Sequence, residues 1–96
     1  MSMIVAISRF RPAPEEADRL VARFQARTRA VDGYPGFLGL EVLRSFEPAP
    51  ELMLVTRWRD KAAMRAYFQS EDFQRAREAS AQQEDATFAL YEVVGT

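Results

Sequence analysis

The side chains this chain lacks narrow its chemistry first. There is no His and no Cys among the 96 residues, so the commonest general base, the commonest metal and haem ligands and the thiol nucleophile are absent. Among the groups that remain, a phenol, a guanidinium and a hydroxyl stand out. Tyr67 can orient or protonate a substrate, or can be a core aromatic with its hydroxyl at the edge. Arg77 can neutralise an anionic substrate or an enolate, or can be a solvated helix residue paired with Asp or Glu. Ser8 can donate to a carbonyl or to bound oxygen. Without a His or Lys base nearby it is not an activated nucleophile, and a bond to nearby backbone is its plainer role. Trp58, at the end of a strand pattern, is a large anchor for a helix packed on a sheet, or a pocket wall. Glu71, Asp72, Glu78, Glu84 and Asp85 form no metal-ligand pattern, and their spacing suits helix termini and surface.

The elements that must hold these residues follow from pattern. Residues 3–10 are short and β-branched with Pro12 and Pro14 behind them, which predicts a strand. Ile4, Ala6, Ser8 and Phe10 share one face and Met3, Val5, Ile7 and Arg9 the other. Both faces are largely apolar, so both need cover. Pro14 suits a first helical position, with Glu15, Glu16 and Asp18 at the positive end of the helix dipole. Ala17, Leu20, Val21, Phe24 and Val31 recur at helical spacing, and Gly33 reads as the helix stop. The Pro35-Gly36 pair turns the chain. Strands are predicted over 37–46, 52–58 and 87–94, with a turn at 47–50. Asp60 is expected to cap a helix through Phe68, and Ser70 a further helix that carries Phe73 and Ala76 inward.

The order β-α-β-β-α-β predicts a single α+β domain over 1–96, ferredoxin-like, with a four-stranded antiparallel sheet and helices on one face. Met3, Val5, Ile7, Phe37, Leu43, Met53, Val55, Tyr91 and Val93 are the candidates for the opposite face. Arg9 and Arg57 on that face would need a carboxylate, for which Glu41 and Glu92 are candidates. A chain of this size buries only about two thirds of its unfolded surface, yet 48% of its residues are hydrophobic. An exposed apolar sheet face in so short a chain predicts a homodimer about a two-fold axis.

Charge and hydropathy exclude other classes. The net charge of −1 comes from 13 basic and 14 acidic residues, so no basic excess attracts nucleic acid or an anionic membrane. The longest apolar runs fall far below the ~20 residues needed to span a bilayer. The first residues carry neither a charged stretch nor a long apolar core, so no signal peptide is expected. The lack of Cys fits a cytoplasmic origin.

Four segments carry a resemblance. They are Val5-Ala6-Ile7-Ser8-Arg9-Phe10 in the first strand, Pro35-Gly36-Phe37 before the second, Thr56-Arg57-Trp58 ending the third, and Tyr67-Phe68-Gln69-Ser70-Glu71-Asp72-Phe73. Together they resemble the antibiotic-biosynthesis monooxygenase (ABM) superfamily over almost the whole chain. The resemblance implies a dimeric α+β barrel, and a family that includes cofactor-independent oxygenases of aromatic polyketides and haem-degrading monooxygenases. Carried over from the haem-degrading branch, the first-strand Asn falls on Ser8, the pocket Trp on Tyr67 and the haem-ligating His on Arg77. All three depart from that branch. Arg remains protonated and has no lone pair for iron.

The resemblance therefore implies a small oxygenase with no metal, flavin or haem, acting on an electron-rich aromatic such as a phenol or quinol in a dry pocket between helices and sheet. Tyr67, Arg77 and Ser8 are its expected catalytic residues, and Trp58, Phe24 and Phe73 its expected substrate-lining residues. The alternative is a non-enzymatic ligand-binding or stress-associated dimer of the same fold.

Overall fold

The computed structural model describes residues 2–26, 30–79 and 87–96, and of residues 76–79 only the backbone. The described elements are β1 (Ile4–Phe10), α1 (Pro14–Gln25), a 3-10 turn (Ala30–Gly33), β2 (Phe37–Arg44), β3 (Leu52–Trp58), α2 (Lys61–Phe68), α3 (Glu71–Ala79) and β4 (Thr87–Glu92). The strands form one antiparallel sheet in the order β2-β3-β1-β4. This is the expected ferredoxin-like α+β arrangement, with both crossovers carrying helices.

Helices α2 and α3 start where a side chain supplies a partner. In α2, Asp60 Oδ1 accepts the Ala63 N–H at 2.9 Å. At the α2–α3 junction the Ser70 hydroxyl serves two helices: Oγ accepts the Phe73 N–H at 3.2 Å and donates to the Tyr67 carbonyl at 2.5 Å. Helix α1 has Pro14 in its first turn and Glu15 and Glu16 beside it, but Ala13 gives no side-chain cap. Its hold comes from burial of Ala17, Leu20 and Phe24 along one stripe.

Register decides the two sheet faces. Ile4 lies opposite Trp58, Ala6 opposite Thr56, Ser8 opposite Leu54 and Phe10 opposite Leu52, all on the helix-covered side. That side holds two core clusters. Phe10, Leu20, Phe24 and Leu52 pack under α1, and Ile4, Val31, Trp58, Ala63 and Met64 pack under α2 and the 3-10 turn. Trp58 and Leu52 are fully buried. Truncating a buried Trp to Ala typically costs about 3–5 kcal/mol, so Trp58 anchors the second cluster.

The other face is uncovered by any described helix. Val5, Ile7 and Met53 are half-buried there, while Leu43 and Tyr91 are exposed. Val55 is only 4% exposed, because Met53 and Arg57 flank it along β3 and Ile7 and Glu41 lie opposite on the neighbouring strands. Arg57 pairs with Glu41 at 3.4 Å. Arg9 pairs with Glu51 at 3.5 Å, sharing it with Arg11 at 3.1 Å. Glu92 lies opposite Ile4, on the helix side.

Local expectations need correction in four places. The helical pattern that ran on to Val31 ends at Gln25, and Val31 reaches the core from the 3-10 turn. Gly33 ends that turn without a positive φ, so it is not a left-handed helix stop. The second and fourth strands end at Arg44 and Glu92, short of 46 and 94. Phe37 lies on the helix side, opposite Trp58, because the pairing slips between Phe37 and Gly39. One extra residue in a strand turns every side chain before it to the other face.

Candidate functional site

The residues singled out in the sequence divide between the two clusters. Tyr67, Trp58 and Phe73 come together. The Tyr67 ring stacks on Trp58 at 5.4 Å and 24°, meets Phe73 edge-on at 5.5 Å and meets Tyr34 edge-on at 5.0 Å and 75°. Three segments thus enclose one half-buried phenol: β3, the Tyr34 turn before β2, and α3. Offset and edge-to-face ring pairs are each worth about 0.5–1.5 kcal/mol beyond the area they bury. The group continues through Phe68, which touches Phe73 at 4.7 Å and Phe88 of β4 at 5.5 Å. Trp58 Nε1 donates to Thr56 Oγ1 at 3.0 Å, so its one polar atom is satisfied within β3.

Ser8 is half-buried on the helix-facing side, between Leu54 of β3 and Phe88 of β4. Among the described residues its hydroxyl makes no hydrogen bond. It therefore keeps a donor and two acceptor lone pairs for another molecule. Phe24 stands in the other cluster, ring to ring with Phe10 at 5.1 Å, and Leu54 packs against that cluster. The Arg77 backbone continues α3 one turn beyond Phe73; its side chain lies outside the described residues.

Two polar residues at the cluster were not among the expected site residues. Tyr34 Oη donates to Asp72 Oδ2 at 2.8 Å, and Arg75 approaches the other oxygen of Asp72 at 3.5 Å. Tyr34 opens the turn Tyr34-Pro35-Gly36-Phe37, closed by the Phe37 N–H on the Tyr34 carbonyl at 3.1 Å. Gly36 sits at φ +81°, the third-position geometry of a type II turn with Pro second. The signal was present: a Tyr fixed by a Pro-Gly turn next to a core needs a partner for its hydroxyl. Its partner lies in another helix, and sequence does not name it.

A shallow, open groove of ≈ 320 Å³ runs beside the cluster between α2 and β4, lined by Ile4, Lys61, Met64, Leu90, Tyr91 and Glu92. A smaller hollow of ≈ 120 Å³ lies on the outside of α1, at Pro12, Glu16, Arg19 and Arg23.

The chain lacks the commonest haem ligands. The resemblance puts Arg77 at the position of the haem-ligating His, and the chain offers no His or Cys elsewhere. Among the described residues no three Asp or Glu side chains gather where a metal ion could be held. No helix there is long and apolar enough to cross a membrane.

Comparison with known proteins places this geometry. Residues 3–79 match the sequence family described as Antibiotic biosynthesis monooxygenase. No curated protein matches the chain by sequence. Among solved structures, a putative antibiotic biosynthesis monooxygenase from Bacillus cereus superposes with a TM-score of 0.84 at 20% identity, covering 100% of this chain and 97% of that one. SnoaB, a cofactor-independent oxygenase from Streptomyces nogalater, gives 0.75 at 21% identity, covering 100% and 97%. A haem-degrading protein from Mycobacterium tuberculosis gives 0.76 at 25% identity, covering 99% and 94%. These likenesses establish a shared fold.

Proposed function

The chain belongs to the antibiotic biosynthesis monooxygenase family, and on that premise we propose that it is a cofactor-independent monooxygenase of a small phenol- or quinol-like aromatic. The observation that carries the reading is the aromatic cluster on the helix side of the sheet, with Tyr67 at its half-buried edge. The Ser8 hydroxyl beside Phe88, which makes no hydrogen bond among the described residues, supports it. Flat, polarisable walls suit an aromatic ring. The likeness to SnoaB, a cofactor-independent oxygenase, agrees with it.

In this reading the substrate is its own reductant. The ionised phenol adds O2 at a ring carbon that bears hydrogen, giving a hydroperoxide. Loss of water leaves a carbonyl, so one oxygen atom enters the product and the other leaves as water. Arg77 holds the phenolate, Tyr67 donates to the developing peroxide, and Ser8 orients the substrate oxygen. Trp58 and Phe73 form the wall, and Phe24 closes the far side beyond Leu54. Fixed donors in a site that excludes water stabilise developing charge more than water does. A second copy of the chain covers the open face of the sheet.

The test is oxygen uptake with 1-naphthol under 18O2. One 18O per quinone product and one in water are expected. Arg77→Ala should lose roughly ten- to a hundredfold in turnover, the loss typical of one hydrogen bond to a charge. Tyr67→Phe should keep the fold and lose turnover. Saturable naphthol binding with no uptake above the buffer rate would leave the non-enzymatic ligand-binding reading.

A further inference from the structure

The groove between α2 and β4 is built from two unlike walls. On α2, Lys61, Met64, Arg65 and Phe68 recur at i, i+3, i+4 and i+7, so they share one flank of the helix. Phe68 meets Phe88 of β4 at 5.5 Å, and Lys61 and Met64 line the groove, so this flank is the one beside β4. It alternates cation, thioether, cation, aromatic. The β4 wall presents Phe88, Leu90 and Glu92 on the helix-facing side, opposite Ser8, Ala6 and Ile4. Phe88 is 52% exposed and Leu90 48%. Large apolar side chains left this open on the covered side of a sheet mark a place where something else packs.

The charges indicate what that is. Lys61 is the single Lys in the chain. Among the described residues, neither Lys61 nor Arg65 forms an ion pair. Arg9, Arg11, Arg19, Arg44, Arg57, Arg59 and Arg75 all do. Like charges four residues apart on a helix repel, so the pair gains from an anion between them. Among the described residues Glu92 is the one carboxylate that lines the groove. It stands at the Ile4 end, lining the groove with Lys61, while Arg65 lies one helical turn further along α2; the carboxylate can accept a hydrogen bond from a hydroxyl.

We propose that the α2–β4 groove is a binding site for an aromatic carboxylate. Its anionic group is held by Lys61 and Arg65, and its ring packs between Met64 and Leu90. The volume of ≈ 320 Å³ lies at the lower end for small-molecule sites and suits one or two rings. The groove adjoins the Tyr67 and Ser8 position, with Phe68 and Phe88 between them, and binding there needs no oxygen chemistry.

The experiment uses the single Trp. Trp58 packs in one cluster with Ile4 and Met64, so a ring in the groove perturbs its fluorescence, and the Met64 methyl resonance reports contact directly. The full chain is titrated with 2-naphthoate, 2-naphthylmethanol and 2-naphthylmethylamine. The expected result is saturable binding of 2-naphthoate with a shift of the Met64 methyl, and about tenfold weaker binding of the alcohol and the amine. Lys61→Gln with Arg65→Gln should weaken naphthoate about tenfold and leave the alcohol unchanged. Both residues are exposed, so the variant folds. Equal binding of acid and alcohol, naphthoate affinity unchanged in the double variant, or shifts confined to Met53 on the opposite sheet face would each overturn the proposal. These outcomes are read without turnover, so they are independent of the naphthol oxidation test.

Discussion

Tyr34 and Asp72 are joined by a hydrogen bond of 2.8 Å across 38 residues of sequence. The bond ties the turn before β2 to the first turn of α3 and closes one side of the space around the Tyr67 ring. Tyr34→Phe keeps the ring contact and deletes only this bond. A hydrogen bond to a charged group is worth about 1.5–3 kcal/mol. Asp72 is partly exposed, so about 1 kcal/mol of lost stability is expected, read as a lower urea midpoint by Trp58 fluorescence. An unchanged midpoint would mean that water replaces the bond at no cost.

Asp60 sets an acid limit on α2. Its carboxyl is held below its ordinary value of 3.8, first by the Ala63 N–H and then by the Arg59 guanidinium, against some desolvation. A carboxyl whose folded pKa is depressed stabilises the fold above its unfolded pKa, and that contribution is lost as pH falls through the folded value. Wild type should therefore lose stability below about pH 4 more steeply than Asp60→Asn. The check is urea midpoints from pH 6 to pH 2.5; parallel curves would remove Asp60 from the account.

Gly36 is required twice over. Its φ of +81° is disfavoured for any residue with a Cβ, and a Cβ there would lie 2.5 Å from the Ala63 Cβ. Its carbonyl also accepts the Arg59 N–H at 2.8 Å, pinning the turn to the end of β3. Gly36→Ala should cost about 2 kcal/mol or more, with most of the loss in the Trp58 cluster. Thermal unfolding within about 2 °C of wild type would refute this.

The open sheet face should hold a second copy. Val5, Ile7, Met53, Leu43 and Tyr91 give it an apolar surface, and a two-fold contact would bury it in both chains. Ile7→Asp is the useful variant, because Val55 is already 4% exposed within one chain and a charge there would damage the fold itself. The expectation is a dimer by sedimentation at micromolar concentration and a folded monomer for Ile7→Asp. A wild type that sediments as a monomer at that concentration would contradict it.

The sequence by itself determined the elements, their order and the fold class. Alternation in β1, the Asp60 and Ser70 caps and the Pro-Gly turn are short-range signals, and each is visible within a few residues. It also determined which chemistry is unavailable, because a chain without His or Cys cannot supply their ligands in any fold. Tertiary structure decided the rest. The slip between Phe37 and Gly39 moved Phe37 from the open face to the Trp58 cluster, and a register shift is a property of two strands. The Tyr34–Asp72 bond and the stacking of Tyr67 on Trp58 join residues far apart in sequence. Phe24 and Trp58 share an apolar character, yet α1 and α2 cover opposite ends of β1 and place them in separate clusters. Local pattern records what a residue prefers to bury; only the packed chain fixes which partners it is buried with.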